Sequence, residues 1–289
     1  IKKATQADHG TDTGWDSEYG SGQAIFYSPE NLYWQIAFKT GYYIFDGSGT
    51  HMNPSKNPDD YGFKIYSNTT TNWSGIVAIA ASNITIRYTH IYNTTNGSVN
   101  NGTVSVRFGS KYVENVKLQN CYLQNSGSDG IQISSSSRIL VERCYIERLG
   151  KLKAEYPDYH GQTVQIFYGG DDIIFRWNIW EANEGQGLIQ IAGETSPSER
   201  IRFYGNLVFV GYGQTAVTPG FNSSGGIFGD AWQNNPISSI LVYNNNFINI
   251  GGNYGGIAGF PIRMPGNDLY SYNNLFYNAR YTSYSGCTA

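Results

Sequence analysis

One short pattern recurs seven times along the chain and constrains the fold more than any other feature. An apolar residue is followed by two variable residues, a small or amide residue, one variable residue and another apolar residue. The segments begin Ile86-Arg-Tyr-Thr89-His-Ile91, Leu118-Gln-Asn-Cys121-Tyr-Leu123 and Val141-Glu-Arg-Cys144-Tyr-Ile146. They continue with Phe175-Arg-Trp-Asn178-Ile-Trp180, Phe203-Tyr-Gly-Asn206-Leu-Val208, Val242-Tyr-Asn-Asn245-Asn-Phe247 and Tyr270-Ser-Tyr-Asn273-Asn-Leu275. Successive markers lie 32, 23, 34, 28, 39 and 28 residues apart. A propeller or leucine-rich repeat holds its period more tightly, whereas stacked coils tolerate loops of any length at their corners. The motif therefore predicts an all-β fold: a single-stranded parallel β-helix of at least seven coils.

Stacking explains the marker. Coils add at the strand spacing of ~4.8 Å, so equivalent residues form columns. An Asn at a bend tolerates the left-handed backbone conformation, and its amide can bond the Asn above and below. The predicted asparagine ladder runs from Asn178 to Asn273, with Cys121, Cys144 and Thr89 continuing it. A second alternating segment precedes each bend, as in Ile76-Val-Ala-Ile79, Val104-Ser-Val106, Ile131-Gln-Ile133, Val164-Gln-Ile166 and Ile189-Gln-Ile191. Its period of two turns the aliphatics inward and places Gln132, Gln165 and Gln190 outward in one file. Tyr42-Tyr-Ile-Phe45 and Phe63-Lys-Ile65 read as further coils. The expected organisation is one domain over 1–289, with a cap at 1–35, coils over 36–280 and a tail at 281–289.

The 19 basic and 22 acidic residues are scattered, so no basic stripe is available to track phosphates, and nucleic acid is not an expected partner. The apolar runs fall far short of a membrane span. Aromatic residues (15%) outnumber charged ones (14%) on an Asn-rich, Lys-poor background, which predicts secretion or display at a cell or virion surface. The first residue is Ile1 rather than Met, consistent with a removed signal segment or a fragment. Asn-X-Ser/Thr sites at Asn68, Asn72, Asn93, Asn96, Asn101 and Asn222 predict a glycosylated flank where the source glycosylates. Three cysteines are too few for a disulfide scaffold. Cys121 and Cys144 share a column ~5 Å apart, which allows either a disulfide or two stacked core thiols.

The repeat resembles the pectin-lyase-like superfamily of right-handed parallel β-helices over roughly residues 40–280. That resemblance implies a right-handed coil and a substrate groove along one sheet face. It does not fix an activity, because lyases, hydrolases, esterases, tailspikes, adhesins and non-catalytic proteins share the fold. On this chain the Gln132, Gln165 and Gln190 file marks the expected groove floor. Ser128-Asp-Gly-Ile-Gln-Ile-Ser-Ser-Ser-Ser137 resembles the polygalacturonase coil that carries a catalytic-site aspartate, which corresponds to Asp129. The later coils depart from that family: Tyr159-His-Gly-Gln162 and Asn183-Glu-Gly-Gln186 replace its paired Asp, its Gly-His-Gly and its Arg-Ile-Lys. Inverting hydrolysis requires a second carboxylate. Glu184 is the candidate, two coils away at ~10 Å. Lyase chemistry instead requires a base, from His160, Lys151 or Lys153, with Tyr159 as proton donor. A Ca²⁺-assisted version lacks an acidic ligand cluster on the floor, so no cofactor or metal site is assigned.

Tyr168, Trp177, Tyr212 and Trp232 are candidate sugar-stacking platforms, whereas Trp180 belongs to the core by register. The leading expectation is an extracellular protein that binds polysaccharide, with cleavage as a lyase or glycosidase left open by the sequence. The alternative is a non-catalytic structural β-helix, such as a tailspike, adhesin or surface filament subunit that self-associates.

Overall fold

A computed structural model describes residues 1–5, 7–27, 34–49, 51–67, 75–93, 104–109, 112–126, 129–149, 162–181, 188–192, 197–209, 228–229, 237–248 and 269–277. Among them, the only helical elements are two short 3₁₀ turns, Ser17–Gly20 and Pro58–Asp60. The rest of the regular structure is short parallel strands, as β-branched and aromatic residues between turn-forming Gly, Asn and Ser dictate. A nine-stranded sheet runs in order from Ala24–Phe26 through Phe63–Ser67, Thr89–Asn93, Tyr122–Gln124, Tyr145–Glu147, Ile179–Glu181, Leu207–Phe209 and Asn246–Ile248 to Leu275–Tyr277. A 13-stranded sheet carries the other segments of each circuit. Its longest members, Ile131–Glu142 and Val164–Arg176, bend where their register shifts between Ser134 and Ser136. The chain thus returns to the same sheets after every circuit, which is the pattern of a parallel β-solenoid.

The core is the set of inward columns. One runs Ile86, Leu118, Val141, Phe175, Phe203 and Val242, all buried, with neighbours paired in parallel register. On the opposite sheet Ile65, Ile91, Leu123, Ile146, Trp180, Val208 and Phe247 form its counterpart. Trp180 is fully buried, as its register required.

Hydrogen bonds at the bend show how the marker residues act. The Asn206 side-chain oxygen accepts the backbone N–H of Asn178 at 3.0 Å, while its amide donates to the Phe175 carbonyl at 3.1 Å. Asn245 treats Asn206 and Phe203 the same way. Asn178 in turn accepts from the Cys144 N–H and donates to the Val141 carbonyl. The cysteines keep half of this arrangement. The Cys144 thiol points at the Leu118 carbonyl (3.6 Å) and the Cys121 thiol at the Ile86 carbonyl (3.5 Å), the acceptors that an Asn amide would use. Both are free, buried thiols, so the disulfide alternative is set aside.

Two sequence expectations need correction here. The last member of the column is Asn274, not Asn273: Asn274 accepts from the Asn245 N–H and amide and donates to the Val242 carbonyl. Ser271, not Tyr270, pairs with Val242, so the assigned segment is out of register by one residue. Nor do the markers themselves hold the left-handed conformation. The residue before each one does: Tyr88, Asn120, Arg143, Trp177, Gly205, Asn244 and Asn273 all have φ between 49° and 64°. This placement leaves the marker's side chain free to turn inward and satisfy buried backbone groups. A second left-handed corner recurs at Asn83, Asn115, Arg138, Asp172, Arg200 and Ser239.

Stacking also begins inside the segment read as a cap. Ala24–Phe26 pairs with Phe63–Ile65, Trp34–Phe38 pairs with Gly75–Ile79, and Lys2 bridges to Asp46.

Candidate functional site

Gln132, Gln165 and Gln190 stand opposite one another in register on three successive strands. Their amides form a directional chain. The Gln132 amide donates to the Gln165 oxygen at 3.4 Å, and Gln165 donates to Gln190 at 3.3 Å. Gln132 also donates to the Asp129 carboxylate at 2.5 Å, and the other carboxylate oxygen accepts the Gln162 backbone N–H at 2.9 Å. Gln132 and Gln190 are buried and Gln165 half-buried, so the outward file lies recessed rather than on an open ribbon.

Asp129 is the unusual group of this face. It is only 3% exposed. Burial pushes its carboxyl up from 3.8 to about 7, against the opposing pull of the Gln132 amide, the Gln162 N–H and the Arg107 charge. A carboxyl balanced near neutrality can give or take a proton, which is what acid–base chemistry requires. Arg107 belongs to the same outward file, since it pairs in register with Gln132. The sequence signal for it was available: extending the Val104-Ser-Val106 alternation by one residue reaches it.

The other expected residues fall into three groups. His160, Lys151, Lys153, Tyr159, Glu184, Tyr212 and Trp232 lie outside the described residues, as do Asn68, Asn72, Asn96, Asn101 and Asn222. Tyr168 sits at the bend that ends the Gln165-bearing half of its strand, 40% exposed, in contact with Phe167. Trp177 is at the far end of that same strand and is already engaged, with the Arg176 and Arg143 guanidinium groups 4.3 and 4.9 Å from its ring centre. The sequon residue Asn93 is 1% exposed, which leaves no room for a glycan on its amide, so it is withdrawn as an acceptor.

On the 13-stranded sheet Asp171 and Glu199 are a register-matched carboxylate pair, both partly exposed and both met by Arg200. A buried pair stands on the nine-stranded sheet. Glu147 and Glu181 face each other there, both buried. The Tyr122 hydroxyl donates to Glu147 and the Tyr145 hydroxyl to Glu181. Arg148 lies 3.4 Å from Glu147, and Lys56 lies 3.5 Å from Glu181. Burial, then these carboxylates, push both tyrosine hydroxyls upward. His90, stacked on Tyr122 at 4.6 Å, is pushed down to about 4 by burial and stays neutral. Every oxygen-bearing partner in this cluster is engaged and its charge is matched, so it reads as internal bracing. Both glutamates sit three residues after a marker, a spacing the sequence displays. Among the described residues, no group of His, Cys, Asp and Glu side chains could hold a metal ion.

No protein-family model matches the chain, and no curated protein matches its sequence. The functional reading accordingly rests on this geometry.

Proposed function

We propose that the chain is a right-handed parallel β-helix with an asparagine ladder, acting outside the cell or at a cell or virion surface. It binds polysaccharide along the Gln132–Gln165–Gln190 face and cleaves it there by lyase or glycosidase chemistry. The observation that carries this reading is the juxtaposition of an amide file with a buried aspartate balanced near pH 7. Amides spaced at ~4.8 Å can bond the hydroxyl groups of successive sugars. In this proposal Asp129 is the proton-transfer group, and its partner comes from His160, Glu184, Lys151, Lys153 or Tyr159. The test is incubation with a panel of uronic-acid and neutral polysaccharides, reading both unsaturated-product absorbance and new reducing ends. Product from one glycan class, lost in Asp129→Asn, supports the reading. Absence of product from every glycan removes the enzymatic half, and absence of binding removes the whole.

One observation favours a second reading, that of a structural subunit. Large exposed apolar side chains gather on the outermost described strands: Ile25 and Ile44 at one end, Tyr270, Tyr272, Leu275 and Tyr277 at the other. Such patches suit end-to-end association. Sedimentation velocity over a wide concentration range separates the two. Concentration-dependent assembly without glycan binding favours the filament.

A further inference from the structure

The outward file that carries the glutamines changes character toward the N-terminal coils. Continuing the register backwards, Gln132 pairs with Arg107, Arg107 with Ala78, and Ala78 with Ala37. Two alanines in succession lower the floor, and a cavity of about 240 Å³ opens above them. Trp34, Lys39, Ile79, Ala80, Arg107 and Gly109 complete its lining. Drug-sized sites occupy ~300–1,000 Å³, so this one is scaled to a single ring. The indole supplies an apolar wall of the kind that packs against sugar faces. Lys39 and Arg107 supply two positive charges, and among the described residues no acidic side chain lines the cavity. The half-buried Arg107 side chain lines the cavity, and its planar guanidinium matches a planar anionic group.

We infer that the groove is graded in charge: the Trp34–Lys39–Arg107 cavity takes one sugar ring bearing an anionic substituent, and the glutamine file takes the uncharged sugars that follow it. The preferred ligand is thus a heteropolymer in which an acidic residue adjoins neutral, hydroxyl-rich ones. Neither a uniformly neutral nor a uniformly acidic chain fits both ends. This inference rests on the reading of the glutamine face as a glycan groove.

The test uses the full chain and size-matched tetrasaccharides: one neutral, one with a single terminal uronate, and one with a sulfate ester in place of that carboxylate, each titrated calorimetrically. A fully acidic tetrasaccharide serves as a fourth ligand. The uronate or sulfate ligand, depending on which anion the guanidinium accepts, is expected to bind at least tenfold tighter than the neutral one. That advantage should shrink with added salt. Lys39→Gln, a change at an exposed side chain, should lower the advantage severalfold. Ala78→Leu fills the cavity without touching a charge and should abolish the advantage, with thermal unfolding checking that the fold is kept. Equal affinity for neutral and singly acidic ligands overturns the graded groove while leaving glycan binding intact, as does tighter binding of the fully acidic chain. If no tetrasaccharide binds wild type at all, the glycan-groove reading fails and this inference falls with it.

Discussion

Asp129→Asn isolates the energetic consequence of burying a carboxyl beneath the glutamine file. In the folded protein the group titrates at about 7, against 3.8 when it is solvated. Below pH 3.8 it is protonated in both states and its full contribution to stability is present. As pH rises between 3.8 and about 7, the unfolded chain releases the proton while the folded chain retains it, so stability falls through that window and levels off above it. At ~1.4 kcal/mol per pH unit, the total comes to about 4 kcal/mol. Asparagine has nearly the same shape, keeps an oxygen for the Gln162 N–H and cannot ionise, but it sets an NH2 against the Gln132 amide, a pH-independent loss of roughly 1 kcal/mol. The stability of the variant relative to wild type should therefore rise by a few kcal/mol between pH 4 and pH 8. Because both proteins share every other titrating group, subtracting their urea-unfolding free energies across pH 4–9 leaves Asp129 alone. Two parallel profiles, or a variant weaker at pH 8, would refute the argument and place the carboxylate in a well-solvated or strongly paired setting.

Asn206→Leu removes the acceptor for the Asn178 backbone N–H and amide and for the Trp180 indole at 3.4 Å. With buried donors orphaned at ~1–3 kcal/mol each, a loss of roughly 4 kcal/mol is expected in denaturant unfolding. Gly205→Ala places a Cβ 2.7 Å from the Trp177 ring at a backbone φ of +64°, so a drop of about 1–3 kcal/mol is expected in the same assay. In a Cys287→Ser background, Cys121 and Cys144 should resist a thiol reagent in the native protein and react fully in guanidinium, with the intact mass that of two free thiols. Burial raises the Cys144 thiol far above its ordinary value and keeps it protonated. Rapid native labelling, or a mass two protons short, would count against the stacked-thiol arrangement.

The columns were legible because stacking makes each inward position repeat, and a repeated constraint leaves a repeated residue type. Trp180 could be assigned to the core from its register alone, and the glutamine file could be read from a period of two. Where a column is broken, the sequence misleads. Ser271 stands where other coils have an apolar residue, and two asparagines follow in succession, so the pattern locked on Asn273 rather than Asn274. The left-handed corner was also misplaced by one residue. Its occupants, Tyr88, Arg143 and Trp177 among them, share a backbone conformation and no side-chain chemistry, and sequence records only the latter. Arg107 and the two alanines were overlooked for a different reason. They are informative only beside one another, and it is the register across coils that makes them neighbours.

The bonding at the bend has a direction in time as well as in space. Each asparagine's oxygen closes an N–H on the coil before it, so the acceptor for Asn178 is synthesised 28 residues later and that for Asn206 39 residues later. A chain leaving the ribosome with its newest completed turn at Cys144, Asn178, Asn206 or Asn245 therefore carries one open backbone donor there. The next turn silences that donor and, with its own amide, grips a carbonyl already in place. Growth from the earlier coils is self-templating, while a chain halted between turns ends in a receptive edge. Such an edge offers a partner strand or a chaperone the same donor that the missing asparagine would have taken.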